Sequence, residues 1–264
     1  MRIALGIEYD GTAHCGWQSQ PNGCGVQDEL ESAIAEIAAE KISLICAGRT
    51  DTGVHALAQV AHFDTDASRP DTAWVRGVNA LLPASIAVQW AHQVEDDFHA
   101  RFSAVSRTYT YVLYMHPVRP ALLTGKVGWY HGALDTAAME TAAQNLVGQH
   151  DFSAFRAAEC QAKISIKTIN YINLMRCGEY ITLTLNANGF LHHMVRNIVA
   201  SLIYIGAGKQ PVEWIQELLH AKDRRRSAPT FAPDGLYLVA IEYESKWKLP
   251  SFDKTHWFNF GIMK

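Results

Sequence analysis

The stretch RIALGIEYD, residues 2–10, alternates its larger apolar side chains with small or polar ones, and VQDELESAIAEIAA follows at residues 26–39. The first pattern has the period of two that predicts a β-strand. The second places its apolar side chains along one face at helical spacing. These side chains are Val26, Leu30, Ala33, Ile34 and Ile37. The beginning of the chain therefore predicts mixed α and β structure.

The same kind of pattern continues to residue 94. Pro83 ends the second predicted helix, because proline cannot continue a helix. The predicted elements are strands at Ile42–Ala47, Ala58–Asp64 and Ile86–Val94, and a helix capped by Asp71 that runs to about Leu81. The resulting order, βαββαβ, is the ferredoxin-like pattern.

The second half repeats this order with one extra helix. Its predicted strands are Arg107–Tyr114, Thr168–Arg176, Tyr180–Ala187 and Leu236–Glu244, and its helices are Asp135–Val147 (with Asp135 as the cap), His192–Ile205 and Pro211–Ala221. We therefore predict an α+β protein with two tandem ferredoxin-like (RRM-like) βαββαβ domains, antiparallel sheets and a cleft between them. The predicted domains are residues 1–103 and 104–244, followed by an aromatic tail at 245–264.

Composition excludes several classes of protein. With 48% hydrophobic and 19% charged residues in a chain of 264, the protein can bury a core and is not a disordered chain. The charge-free stretches Tyr180–Val195 and Asn197–Gly208 are shorter than the roughly 18–20 apolar residues that a membrane span needs. Glu8 and Asp10 interrupt the first apolar run, so no signal peptide is predicted and a cytoplasmic location is expected.

The five cysteines form an odd count without a C-x-x-C pair. This pattern disfavours a disulfide framework and a cysteine zinc site. We expect reduced thiols that are partly buried. The cysteines are Cys15, Cys24, Cys46, Cys160 and Cys177.

Charge is distributed unevenly along the chain. Residues 1–97 carry 5 basic and 14 acidic side chains, whereas residues 98–264 carry 18 basic and 12 acidic ones. No acidic residue occurs between Phe98 and Leu134. Such an asymmetry is typical of a protein with one positive surface for phosphates. The run KDRRR at 222–226, with Arg224, Arg225 and Arg226, is interpreted as a phosphate-contact loop.

The segment AGRTDTGVHA, residues 47–56, carries the strongest signal for a functional site. It lies between two predicted strands and contains two glycines, which allow tight turns or close approach of the backbone to a ligand. Arg49 and Asp51 are two residues apart, so both side chains can face one cleft. From the residues alone, this is a loop site with a carboxylate and a guanidinium.

Several motifs together resemble one known family. AGRTDTGVHA resembles the signature of the TruA family of tRNA pseudouridine synthases, and the other matching motifs occur in the family's order. They are YDGTAHCGWQ (9–18), VQDELESAI (26–34), FHARFSAVSRTYTYVLY (98–114), HHMVRNIV (192–199) and APDGLYLVAIEY (232–243). The resemblance spans residues 2–243 and implies isomerisation of uridine to pseudouridine at positions 38, 39 and 40 of the tRNA anticodon stem-loop, with base flipping.

The resemblance also assigns roles to individual residues. Asp51 matches the catalytic carboxylate, and Arg196 matches the arginine that pairs with it. Tyr109 matches the tyrosine that stacks on the flipped uracil, and Leu236 the leucine on the other side of the base. Arg49 matches the residue that holds the extruded nucleotide.

Further expectations concern partners and cofactors. Arg69 matches a position that contacts tRNA, although its place among three aspartates is equally typical of a surface charge. The resemblance implies a homodimer that binds tRNA without a cofactor or metal ion. Because no histidine motif has metal-ligand spacing, we interpret His55, His62, His192 and His193 as structural.

Two other functions are compatible with parts of the sequence. A tRNA-binding protein or chaperone without catalysis would be expected to lack the aspartate of the signature, but Asp51 is present. A hydrolase using Asp51 with His55 would release uracil or cleave RNA. The tail contains Trp247, Phe252, Trp257, Phe258 and Phe260, which predicts that it packs on the body or on a second subunit; stacking of these rings on bases is the alternative.

Overall fold

The computed structural model describes residues 1–160 and 162–250 of the chain. Contacts divide these residues into two compact units. The first comprises residues 1–107 and the segment that begins at Tyr237, and the second comprises residues 108–236. Strand β5, Ala104–Met115, begins in the first unit and ends in the second.

The strands of the first unit pair mostly in antiparallel fashion. Strand β1 lies between β4 and β3 with antiparallel pairing on both sides, and β2 pairs antiparallel with β3. The exception is β10, which runs parallel to β3 where Tyr237 pairs with His55. The bounds are β1 Arg2–Tyr9, β2 Ile45–Cys46, β3 His55–Asp64, β4 Ile86–Val94 and β10 Leu236–Tyr243.

Two helices belong to this unit. Helix α1, Val26–Ala38, begins where the Asp28 carboxylate accepts a hydrogen bond from Gly25 N at 2.9 Å, which satisfies a free donor at the helix N-terminus. Helix α2, Val78–Leu81, follows a π-helical turn at Ala73–Gly77. Asp71 is itself helical, so the prediction that it caps this helix is wrong.

Both faces of β1 are covered by apolar groups. The buried side chains of Ile3, Leu5 and Ile7 alternate with that of Ala4, which points to the opposite face. Ala4 belongs to a cluster that includes Phe98. The tail contributes to the same cluster through Trp247, whose ring meets that of Phe98 edge to face at 5.1 Å.

The second unit combines antiparallel strands with three helices. Strands β5, β9, β8 and β7 follow one another in that order, and β6 runs parallel to β5. The remaining bounds are β6 Gly128–Tyr130, β7 Gly148–Asp151, β8 Ile166–Cys177, β9 Tyr180–Ala187, α3 Thr136–Gln144, α4 Met194–Gly206 and α5 Trp214–Ala221.

Local signals account for the ends of some of these helices. Asp135 caps α3 as predicted, because its carboxylate accepts a hydrogen bond from Ala138 N at 3.0 Å. Helix α5 begins three residues after the predicted start at Pro211. Helix α4 is buried on most sides, with Ile198 and Leu202 fully enclosed.

The mixed α+β class with mostly antiparallel strands is confirmed. Strands β6 and β7 were not predicted, because segments of three or four residues are too short to show a period. The description as tandem ferredoxin-like domains stays a prediction, as do the domain limits at 103 and 244.

The expectation about the cysteines is partly wrong. Cys15 and Cys24 form a disulfide, whereas Cys46 and Cys160 are free and buried and Cys177 is free and exposed. The loop between Cys15 and Cys24 folds back so that Cys15 N donates to the Cys24 carbonyl at 2.9 Å. This return brings the two Cα atoms to 5.4 Å, within the range that a disulfide requires.

In the described part of the chain, no helix has the length and apolar character to cross a membrane. Of the aromatic tail, Trp247 packs on the first unit, in agreement with the prediction that the tail packs on the body. Phe252, Trp257, Phe258 and Phe260 lie outside the described residues.

Candidate active site

Asp51 lies on the loop of residues 47–54 that connects β2 to β3 in the first unit. Its side chain is half-buried, and that of Arg49 is exposed. The loop closes on itself after Asp51, because Val54 N donates to the Asp51 carbonyl at 3.1 Å. Gly53 adopts a φ of 79°, which only glycine reaches without strain. The signature glycine therefore serves the turn that follows Asp51.

The loop that follows β1 holds this segment at Thr50. Trp17 is buried, and its backbone N–H donates to the Thr50 carbonyl at 3.0 Å. Gly16 has a φ of 88°, and a Cβ atom there would lie 2.7 Å from the Thr50 carbonyl oxygen. A side chain at residue 16 would therefore push the two loops apart. The motifs around residues 16 and 51 form one folded substructure.

A second contact between the same two loops involves Gly11 and His55. A Cβ atom on Gly11 would lie 2.1 Å from the Val54 carbonyl oxygen, so only glycine fits there. The His55 ring is buried and stacks on Tyr237 with centroids 4.5 Å apart. Its Nδ1 atom lies 3.1 Å from Gly11 N and 3.2 Å from Asp10 Oδ1, and it can serve only one of them at a time. These contacts support a structural role for His55.

Arg107 holds the start of the same loop, a role that was not predicted from the sequence. Its guanidinium is buried and donates to the Ala47 carbonyl at 3.0 Å and to the Ala104 carbonyl at 3.1 Å. The signal that could have identified it is its place in the motif RTYTY, two residues before Tyr109. A charge in a strand otherwise rich in tyrosine and valine is costly unless it is hydrogen-bonded.

The second unit contains the predicted base-binding residues. Tyr109 is 7% exposed, and its ring meets that of Phe190 edge to face at 5.1 Å. Leu236, the last residue of the second unit, is buried at the start of β10, and the rest of that strand belongs to the first unit. On the opposite face of β5, Thr110 shares a hydrogen bond with Thr184 at 3.0 Å. The predicted alternation, with tyrosines on one face and threonines on the other, is confirmed.

Arg196 occupies the third position of α4, close to the N-terminal end of the helix. Its side chain is half-buried, and Nε donates to the Phe231 carbonyl at 2.8 Å. Phe231 also packs on Tyr111, whose hydroxyl donates to the Ala232 carbonyl at 2.9 Å. Arg196 and Tyr111 therefore hold the same segment of chain.

The predicted RNA-binding arginines differ in their contacts within the protein and in their exposure. Arg224 donates to Ala228 O at 2.8 Å and to Asn197 Oδ1 at 3.0 Å, so it ties its loop to α4. Arg225 pairs with Asp223 at 2.7 Å, and its side chain is 90% exposed, while Arg226 is also exposed.

Arg69, in the first unit, is exposed. Its Nε donates to the Ile37 carbonyl at 3.2 Å, near the C-terminal end of α1. A cation is favourable at that end of a helix. The hydrogen bond to Ile37 gives Arg69 a structural role in the fold. Its binding to tRNA stays a prediction.

His62 is buried, and its Nδ1 accepts a hydrogen bond from Ala100 N at 3.1 Å. Burial lowers the pKa of His62 to about 4, and the nearby charges of Arg2 and His99 act in the same direction. This environment keeps the ring neutral. The contact fixes the segment before β5 and supports a structural role for His62.

The free energy of unfolding is expected to decrease as the pH is lowered, because His62 becomes protonated. Its pKa is lowered in the folded protein, so the stability it contributes is present above about pH 6.5 and is lost as the pH falls towards 4. We expect a loss of about 2 kcal/mol between pH 7 and pH 5. Urea unfolding of the wild type and of His62→Asn at both pH values measures it. An equal pH dependence in the two proteins would contradict the assignment.

The fold and the loop define a mixed α+β protein that presents one carboxylate on a firmly held loop. The sequence profile of the family described as tRNA pseudouridine synthase matches residues 6–103 and 142–244. Relatives named tRNA pseudouridine synthase A match most of the chain. That of Chromobacterium violaceum is 58% identical over 252 residues, covering 95% of this chain and 96% of its own. That of Nitrosomonas eutropha is 56% identical and covers 96% and 91%. That of Thiobacillus denitrificans is 56% identical and covers 95% and 96%.

The chain belongs to the TruA family of tRNA pseudouridine synthases and is an isomerase. The resemblance in its motifs is thereby confirmed.

Proposed function

We propose that the protein converts uridine to pseudouridine at positions 38, 39 and 40 of the tRNA anticodon stem-loop, with Asp51 as the nucleophile. The observation that carries this proposal is the half-buried carboxylate of Asp51 on a loop that Trp17 and Arg107 hold through backbone carbonyls. The family match supports the reaction class, since both matched segments include residues assigned to the site.

The reaction breaks the C1′–N1 glycosidic bond and forms a C1′–C5 bond after the uracil turns. A carboxylate can act by adding to C6 of uracil, by adding to C1′ of the ribose, or by assisting the departure of uracil to form a glycal; carboxylates are known covalent nucleophiles. Each route requires an ionised Asp51. A cation beside a carboxylate favours the ionised form, and we propose Arg196 for this role.

The target uridine must leave its helix before it can react. Side chains cannot read the deep major groove of A-form RNA, and extrusion of a nucleotide costs a few kcal/mol. We propose that Arg49 holds the extruded nucleotide, because an exposed guanidinium can bind phosphate through two parallel hydrogen bonds. Tyr109 and Leu236 would then contact the two faces of the base.

Contacts with the tRNA backbone are proposed for Arg69, Arg224, Arg225 and Arg226. Arg225 and Arg226 are the strongest candidates, because their side chains are exposed to solvent, where a phosphate can reach them. Arg224 would act chiefly by holding the loop, since its guanidinium donates to neighbouring acceptors within the chain. The tandem ferredoxin-like arrangement, a homodimer and a cytoplasmic location belong to the same proposal.

Tritium release from tRNA labelled with [5-³H]uridine tests the function. Formation of the C1′–C5 bond expels the hydrogen on C5, so we expect about one tritium released per converted uridine, with RNA length unchanged and no free uracil. A transcript with cytidine at positions 38–40 serves as the control and should release no tritium. Free uracil or cut RNA would instead identify the hydrolase. Stable tRNA binding without release would identify a binding protein.

The buried position of His55 already disfavours the hydrolase. Its ring is 2% exposed and packs on Tyr237, and Gly11 N lies at its Nδ1 atom. A general base for hydrolysis must reach a water molecule or the substrate.

A further inference from the structure

We propose that Tyr9 and Gln59 are positioning residues for Asp51. They belong to a buried hydrogen-bonded network, defined by Tyr9, Thr50, Gln59 and the Gly48 carbonyl, that holds the catalytic loop on both sides of Arg49. The inference rests on the proposed function, because it assigns these residues to the reaction that Asp51 performs.

The network connects two strands to the loop. Tyr9 ends β1, and its hydroxyl lies 2.7 Å from Thr50 Oγ1. Gln59 lies within β3, and its Nε2 donates to the Gly48 carbonyl at 2.6 Å. The same amide nitrogen lies 3.5 Å from the Tyr9 hydroxyl, so the two branches meet. Two adjacent strands thus hold the loop before and after Arg49.

The groups of this network are shielded from water. Gln59 is fully buried, Tyr9 is 3% exposed and Thr50 is 6% exposed. An unpaired polar group in such a place is costly, whereas a satisfied network makes the surrounding structure rigid. A fully buried glutamine in a strand is therefore better explained by its hydrogen bonds than by packing.

Thr50 transmits this rigidity to Asp51. Its side chain is held by Tyr9 and its carbonyl by Trp17 N at 3.0 Å, so the peptide group that joins Thr50 to Asp51 is fixed at its oxygen. The Tyr9 and Trp17 rings also touch, with centroids 5.9 Å apart. A displacement of about 1 Å in a reacting group costs up to about 10²-fold in rate. The network is thus placed to set the position of the carboxylate.

Tyr9→Phe tests the inference by removing only the hydroxyl. We expect kcat for tritium release to fall about tenfold while KM changes less than about twofold, because a loosened Asp51 affects the reaction rather than tRNA binding. Gln59→Met, which removes the donor to Gly48, should show the same separation of kcat from KM.

A second variant separates positioning from general stability. Tyr9→Phe alone should lower the Tm, because Thr50 loses the hydrogen bond that it shares with Tyr9. In Tyr9→Phe/Thr50→Val both hydroxyls of this pair are replaced, so the Tm should recover. The kcat should stay low, because the loop still lacks its link to β1. Recovery of kcat together with Tm would show a merely structural role and would overturn the inference.

Tyr243→Phe is the matched control. Tyr243 lies in the same unit, and its hydroxyl donates at 2.6 Å to the carbonyl of Ala100, a residue outside the loop of residues 47–54. Its loss should lower the Tm and leave kcat unchanged. A wild-type kcat in Tyr9→Phe, with tritium release by the wild type intact, would overturn this inference alone. No release by the wild type would overturn the proposed function as well.

Discussion

Asp51→Asn is expected to reduce pseudouridine formation by more than about 10⁴-fold, the scale seen when the group that performs the covalent step is removed. An amide has nearly the same shape as the carboxylate but is a far weaker nucleophile. Because the side chain is half-buried at the surface of a loop, the Tm should change by only a few degrees. Single-turnover tritium release and a thermal melt measure the two effects.

Asp66→Asn provides the comparison, since Asp66 is an exposed carboxylate in the same unit and outside the loop of Asp51. It should retain wild-type kcat and KM. Binding of tRNA should survive in Asp51→Asn, because the proposed backbone contacts come from other residues. Turnover within tenfold of the wild type in Asp51→Asn would refute the assignment of the nucleophile.

Arg196→Met is expected to preserve the fold and to lower kcat about 10²- to 10³-fold, the scale associated with loss of one electrostatic partner in a site. Methionine retains much of the apolar stem of arginine but removes the charge that we propose stabilises the ionised Asp51. The hydrogen bond from Nε to the Phe231 carbonyl is lost too, which should cost about 1 kcal/mol of stability.

Arg196→Lys separates the two contributions of this side chain. Lysine keeps the charge but lacks the planar guanidinium, which can donate to the Phe231 carbonyl and, as we propose, to Asp51 at the same time. We expect a kcat between those of the wild type and Arg196→Met. Circular dichroism checks that both variants keep the helical content of the wild type. Normal turnover in Arg196→Met would remove the arginine from the mechanism.

Much of the fold could be predicted because its long elements carry clear periods. Strand β4 matches its predicted range at both ends, and α1 differs by one residue. Strand β2 is only Ile45–Cys46 instead of six residues, because its pairing with β3 is limited to two positions. Pairing partners are set by tertiary contacts, and a strand's own sequence does not contain them.

The site was predictable only in part. The motif around Asp51 identified the loop, because it concentrates charged residues and glycines between two strands. Contacts that hold the loop were missed, because several of them join residues far apart in the sequence, 41 positions from Tyr9 to Thr50 and 60 from Arg107 to Ala47. The Cys15–Cys24 pair was missed as well, since an odd cysteine count says nothing about which two thiols meet in a turn.

The Cys15–Cys24 disulfide makes the conformational stability of the loop after β1 depend on the redox state of its surroundings. The ring it closes spans nine residue steps, and such a cross-link removes about 3 kcal/mol of chain entropy from the unfolded state. An excess of a small dithiol reduces the bond to two thiols and is itself oxidised to a disulfide. The unfolded chain then regains the lost entropy. Because Gly16 and Trp17 lie inside the ring and touch the Thr50 segment, the oxidised protein should resist proteolytic nicking there better than the reduced one.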